Sequence, residues 1–150
     1  NVAQMKLSEH NRLTLMISLH KEIEEHAHHT ANHILHGRLD ELTQYPPNGG
    51  FTDAEKEALA RIKGDEVLRD ALRKAFAANT AEVFFTFFNV LDGTGDPDPG
   101  TGNWTEVKLV DFTEDMVEDG EMLHDHFFQT YWSWRKRRKA DWKLDLHDGE

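Results

Sequence analysis

The sequence predicts an all-α fold, in which residues 1–150 form a single helical domain built as a bundle of about four helices, two of them long. Apolar residues recur at three- and four-residue spacing over long segments without proline, as amphipathic helices require. All four prolines lie in two short segments between these stretches. The chain is 38% hydrophobic and has no Cys, so we expect one core without disulfides or Cys-ligated zinc.

A periodic segment and a capping motif predict the first two helices. The first is expected from Ser8 to Leu39, with Ile23 at the centre of its apolar face, and to end before the Pro- and Gly-rich residues 43–50. Residues 52–55, Thr-Asp-Ala-Glu, match a capping box, in which the hydroxyl and the carboxylate each accept a hydrogen bond from a backbone N–H group. A short second helix is therefore expected to begin there and to end near Gly64.

The third helix is expected to begin at Asp65 and to reach Leu91. Its last turns are apolar nearly all round, which predicts that this helix is the buried centre of the bundle. Residues 92–103, rich in Gly, Pro and Asp, predict a loop. The Asp residues of this loop suit Ca²⁺, but the EF-hand pattern is absent, so a flexible loop is the favoured interpretation.

A last long helix is predicted to begin at Thr113 and to end in the basic residues 135–139, where cations suit the helix dipole. Its apolar stripe consists of Met116, Gly120, Leu123, Phe127, Tyr131 and Trp134. Residues 104–112 and 141–146 alternate apolar and polar side chains and would pair as a minor two-stranded β ribbon. A helical or irregular tail fits residues 141–146 equally well.

The composition restricts the classes of function. A formal net charge of −11 argues against general nucleic-acid affinity. No run of 18 apolar residues and no signal-peptide pattern is present, so we expect a soluble cytoplasmic protein without membrane association. Only the basic residues 135–139 beside Trp and Tyr favour a nucleic-acid or lipid surface, and this interpretation ranks last. No P-loop or Gly-x-Ser-x-Gly motif occurs, so we expect no catalytic or organic-cofactor residues.

Histidines are concentrated on the first helix. Four of them fall on one row about 100° or more from the centre of the apolar face: His26, His29, His33 and His36. The favoured interpretation is a solvated row, since surface histidines bind added metals without biological meaning. Imidazoles at this spacing would also share a metal ion or act as a charge switch near pH 6.

A second set of ligand-type residues lies at the edge of the apolar face, where another helix would cover it. The candidate metal ligands are His20, Glu24 and His28 on the first helix with Glu121 and His124 on the last. The E-x-x-H spacing of the last pair is similar to ligand motifs of ferritin-like carboxylate proteins, which hold two iron or manganese ions. Those proteins need a ligand Glu on each of two other helices, and between the two motifs only Glu82 lies near the apolar segment at a useful depth, so we assign no family. The alternative function is a metalloprotein that binds Fe, Mn or Zn between these helices.

The distribution of charge favours a binding function. Residues 92–125 contain eleven acidic side chains and one basic one, and residues 135–139 are all basic. The helix dipole alone accounts for this order without any partner. The functional interpretation is that an acidic surface with nearby aromatics binds a basic protein partner, as inhibitors and immunity proteins do. The predicted contact residues are Asp111, Glu114, Asp115, Glu118 and Trp132, and homo-oligomers are a further expectation.

Overall fold

The fold is taken from a computed structural model that describes residues 6–112 together with 132, 133 and 136. These residues form three α-helices: α1 (Glu9–His36), α2 (Asp53–Ala60) and α3 (Glu66–Leu91). Two short 3₁₀ helices, Leu39–Glu41 and Pro99–Thr101, complete the described elements, among which there is no strand. The all-α prediction is confirmed for this part of the chain. The predicted fourth helix and residues 141–146 of the predicted ribbon lie outside the described residues.

The chain divides into two compact units. The first contains Asn1–Ala31 with Asp70–Met116, and the second contains Asn32–Arg69 with Val117–Glu150. The first unit therefore holds most of α1 and α3, and the second holds α2 with the connections around it.

Each helix begins at a residue whose side chain accepts a hydrogen bond from the first turn. The Ser8 Oγ accepts from the N–H of Asn11 at 3.3 Å, and the Asp65 Oδ1 accepts from Leu68 at 2.9 Å. At α2 both halves of the predicted capping box are present, between Thr52 and Glu55. These bonds satisfy N–H groups that have no partner inside the helix, which explains why the predicted starts are correct within one residue.

Both long helices end at a glycine with a left-handed backbone. Gly37 and Gly93 have φ values of 70° and 73°. At the end of α1 the N–H of Gly37 donates to the carbonyl of Ile34, and that of Arg38 donates to His33 at 2.8 Å. This pair of bonds is the Schellman motif. The expected continuation of α1 to Leu39 is therefore wrong, because the backbone turns at Gly37 before the prolines are reached.

Full burial is concentrated on α1 and the turn that follows it. The buried apolar side chains of the first unit are Ile23, Ala27 and Ala31, and those of the second include Ile34, Leu35 and Leu39. No residue of α3 is fully buried. The expectation that α3 is the buried centre is wrong, because a helix that is apolar all round needs neighbours on every side, and its described neighbours leave Val83, Phe85 and Phe87 more than half exposed.

The predicted loop at residues 92–103 is confirmed, with one turn of 3₁₀ helix inside it. The Asp98 carboxylate accepts a 2.7 Å hydrogen bond from the N–H of Gly100 and so caps that turn. Within the part of the chain that the structure describes, no helix has the length and apolar character needed to cross a membrane.

Candidate functional site

A groove between α1 and α3 is a concave surface of the first unit. Its central hollow has a volume of about 570 Å³. The apolar lining is Met16, Leu19 and Ile23 from α1, with Ala78, Ala81, Phe84, Phe85 and Phe88 from α3. Among the described lining residues, only His20 on one wall and Glu82 on the other are polar. A mainly apolar hollow with a few polar groups is the usual composition of a binding site.

Two further hollows continue the central one along the same pair of helices. The first, of about 430 Å³, shares Met16 and Phe88 with the centre. It is also lined by Arg12, Asp92 and Lys108.

The other hollow, of about 230 Å³, lies beyond Ile23 in the chain direction of α1. Its walls are Glu24 and Ala27 of α1 with Arg73, Lys74 and Ala77 of α3. The lining residues ascend along α1 as they descend along α3, so the two helices are antiparallel. We call the three hollows together the α1–α3 groove.

Large apolar side chains of α1, of α3 and of the segment after the loop are exposed. Leu13 and Ile17 of α1 and Phe85 of α3 are all more than half exposed, with Phe85 at 68%. Trp104 and Phe112, on the segment that follows the loop, are 47% and 64% exposed. Single exposed apolar residues are normal on a protein surface, but a cluster of them marks an interaction surface.

The predicted metal ligands are only partly described. His20, Glu24 and His28 are exposed along one edge of α1, as the four-residue spacing requires. Glu121 and His124 lie outside the described residues. Within the described ranges, no group of three or more histidines and carboxylates is arranged to hold a metal ion. The five-residue site therefore stays a prediction, to which Glu82 is added because it lines the same hollow as His20.

The histidine row of α1 is not uniformly solvated. His26 is exposed, at 3.4 Å from Glu22, and His36 is exposed, with its Nδ1 2.7 Å from the carbonyl of Asn32. His33, in contrast, is buried. Its Nε2 donates to the Glu41 carboxylate at 3.1 Å, since an ionised carboxylate only accepts. His33 is thus part of the second unit's core.

Of the predicted partner-contact residues, Asp111 and Trp132 are described. The Asp111 Oδ1 accepts hydrogen bonds from the Asn11 side chain at 2.8 Å and from the N–H of Ser8 at 3.1 Å. These bonds, that of Asn11 first, lower the pKa of Asp111 below its usual range, and His10 adds to the effect. Trp132 is 44% exposed. Glu114, Asp115 and Glu118 lie outside the described residues.

The Asp111 carboxylate is therefore hydrogen-bonded to the N-terminus of α1, so it is not a free charge on the surface. Its carboxylate lies where the unpaired N–H groups of a helix favour negative charge. Together with a 3.4 Å hydrogen bond from its own N–H to the carbonyl of Lys6, it holds the segment before Thr113 against the start of α1.

Sequence reasoning missed the α1–α3 groove and the burial of His33. The sequence did contain a signal for the groove. A helix that is apolar on all sides has more apolar surface than the few neighbouring helices of a short chain can cover. Comparisons with protein-family models, with curated proteins and with solved structures found no match to this chain.

Proposed function

We propose that the chain is a non-catalytic binding protein that engages a basic protein partner, in the manner of an inhibitor or immunity protein. The observation that carries this proposal is the exposure of Trp104 and Phe112 directly before the acidic residues that follow position 112. Aromatic side chains provide much of the binding energy in protein interfaces, and surrounding charges select the partner and steer its approach.

The bonds of Asp111 refine which acidic residues contact the partner. Because its carboxylate accepts from Ser8 and Asn11, Asp111 positions the neighbouring Phe112. The partner-contacting carboxylates of the proposal are therefore Glu114, Asp115 and Glu118, in the segment that the sequence predicts as a fourth helix from Thr113. Trp132, near the other end of that helix, supplies a further aromatic contact.

The test is charge reversal of Glu114, Asp115 and Glu118 to Lys in one variant. Immobilised wild-type chain should capture a basic protein from a lysate of the source cells, and the variant should lose it, because three attractive contacts become repulsive. A matched control reverses Glu22, Glu25 and Glu57, which are exposed elsewhere and change the net charge equally.

Two results would contradict the proposal. One is equal capture by the wild-type chain and the variant, with unchanged circular dichroism in both. The other is equal loss in the control variant, which would mean that net charge alone retains the captured protein.

A metalloprotein is the second candidate, favoured by one observation. His20 of α1 and Glu82 of α3 line the same hollow, so two ligand types from different helices face one space. With Glu24, His28, Glu121 and His124 they would form a site for Fe, Mn or Zn. Untagged, gel-filtered protein should then contain about one or two equivalents of one metal.

A variant separates this candidate from adventitious binding to the surface histidines. His124→Ala should lose the metal, whereas His26→Ala, on the exposed row, should retain it. Metal-free protein, or equal metal loss in both variants, would exclude this site.

A further inference from the structure

We propose that the α1–α3 groove binds an amphipathic helix of the partner that carries a cation near its centre and carboxylates towards its ends. The inference deepens the proposed function and rests on it only in taking the partner to be a protein. It assigns a second contact surface, made of residues that differ from Glu114, Asp115 and Glu118.

The length of the groove favours a helix over a small molecule. The three hollows follow α1 from Arg12 to Ala27. Fifteen residues of α-helix span about 22 Å at about 1.5 Å per residue. A small ligand would fill the central hollow alone, whereas a helix of about 15 residues would occupy all three.

The lining supplies contacts for an apolar stripe. Met16 and Phe88 form the wall shared by two hollows, so an apolar side chain at that level contacts both helices. Ala81 lines the central hollow, as does the exposed ring of Phe85. Side chains three and four positions apart on one helix would reach these places in turn, which is how amphipathic helices bind in grooves.

The charges along the groove indicate which charged side chains the bound helix carries, and where. Among the described residues, Glu82 is the one carboxylate that lines the central hollow, and it forms no ion pair with any of them. A cation at the middle of the bound helix would pair with it. His20 lies on the opposite wall.

Among the described residues, each end hollow is lined by two cationic side chains and one acidic one. Arg12 and Lys108 accompany Asp92 at one end. Arg73 and Lys74 accompany Glu24 at the other. Both ends thus have an excess of positive charge, which a carboxylate near each end of the bound helix would neutralise. An alternation of positive, negative and positive along one groove selects the opposite order in its ligand.

A displayed peptide library tests this order directly, with the full chain as bait. The library consists of 15-residue peptides with a fixed leucine stripe at helical spacing and with Lys, Glu or Gln varied at one central and two end positions. We expect enrichment of Lys at the centre and Glu at the ends. In Glu82→Gln the central preference should fall about two- to fivefold, as expected for an exposed ion pair.

Two tryptophan variants separate the groove from other apolar surfaces. Ala81→Trp fills the central hollow and should weaken binding of the selected peptide at least tenfold. Asn79→Trp adds the same ring at an exposed α3 position that lines none of the hollows, and should leave binding unchanged. Circular dichroism verifies the fold of each variant, and Glu82→Gln remains a test if Ala81→Trp does not fold.

Three outcomes would overturn the inference. These are no enrichment over a bait-free selection, equal enrichment of Lys and Glu at the centre, and equal binding by the two tryptophan variants. The first would also be the result if residues of this chain or of a second copy filled the groove. Capture of a basic protein that survives Ala81→Trp but not reversal of Glu114, Asp115 and Glu118 would refute the groove alone and leave the proposed function standing.

Discussion

Replacement of His33 by Ala is expected to destabilise the protein far more than replacement of any exposed histidine of the same row. His33 is 6% exposed, and its Nε2 lies 3.1 Å from Glu41 Oε2. The side chain of His26, one of its neighbours on the row, is 75% exposed. The four histidines are equivalent in the helical pattern of the sequence. Alanine substitution at each of them therefore measures how much burial in the folded protein changes the contribution of a histidine to stability.

The magnitude follows from two contributions. A hydrogen bond to a charged group contributes about 1.5–3 kcal/mol, and here the lower part of the range applies, because the Glu41 side chain is 58% exposed and regains water when the imidazole is removed. Loss of the buried ring adds a packing term, so we expect a total of about 2–3 kcal/mol. For a chain of this length, that lowers Tm by about 5–10 °C.

The assay is urea unfolding followed by circular dichroism, with Tm measured in parallel. His26→Ala should change the free energy of unfolding by less than about 0.5 kcal/mol, as exposed substitutions usually do. Glu41→Ala should lie between the two, since it removes the acceptor but leaves the ring in place. If His33→Ala differs from His26→Ala by less than about 0.5 kcal/mol, the assignment of His33 to the core of the second unit is wrong.

Three further substitutions test the described helix ends. Thr52→Ala breaks the capping box of α2 and should cost about 1 kcal/mol in urea unfolding; no loss would mean that α2 begins elsewhere. Gly37→Ala should cost about 1–2 kcal/mol, because φ is 70° while nothing lies within 4 Å of the added methyl group; a neutral result would contradict the left-handed turn. Asp111→Asn should destabilise the protein at pH 7, because the folded state lowers the pKa of the carboxyl. That stabilisation is present above the unfolded pKa of about 3.9 and is lost as pH falls through the folded value, so the difference from wild type should close below about pH 4. A constant difference across that range would refute the charge effect.

Features set by neighbouring residues could be predicted from the sequence. The Thr52–Glu55 capping box, the start at Ser8 and the loop after Leu91 depend on interactions within a few positions of the chain. Such interactions form whatever the rest of the fold does, because cap and turn preferences follow from local backbone geometry. Gly37 is a further local feature of this kind, since its lack of a Cβ permits the left-handed turn that ends α1.

Features set by distant residues could not be predicted. Burial of His33 depends on the turn that brings Glu41 back to α1, eight positions later in the chain. The bond from Ser8 to Asp111 joins positions 103 residues apart, so no local pattern contains it. The candidate site has the same limitation, since His20 and Glu82 share a hollow only because α1 and α3 are antiparallel.

The acidic composition and the exposed apolar side chains have opposite effects on self-association. Exposed side chains such as Phe85 and Phe112 lower the free energy of self-association, whereas like charges on every copy raise it. A net charge of −11 therefore opposes association between copies of this chain, whereas it would attract the basic partner that we propose, whose charge would remove the repulsion on contact. The same groups that would promote aggregation in a neutral protein can then serve as binding contacts in this one. Salt screens both effects, so it should weaken capture of the partner and strengthen self-association over the same range of concentration.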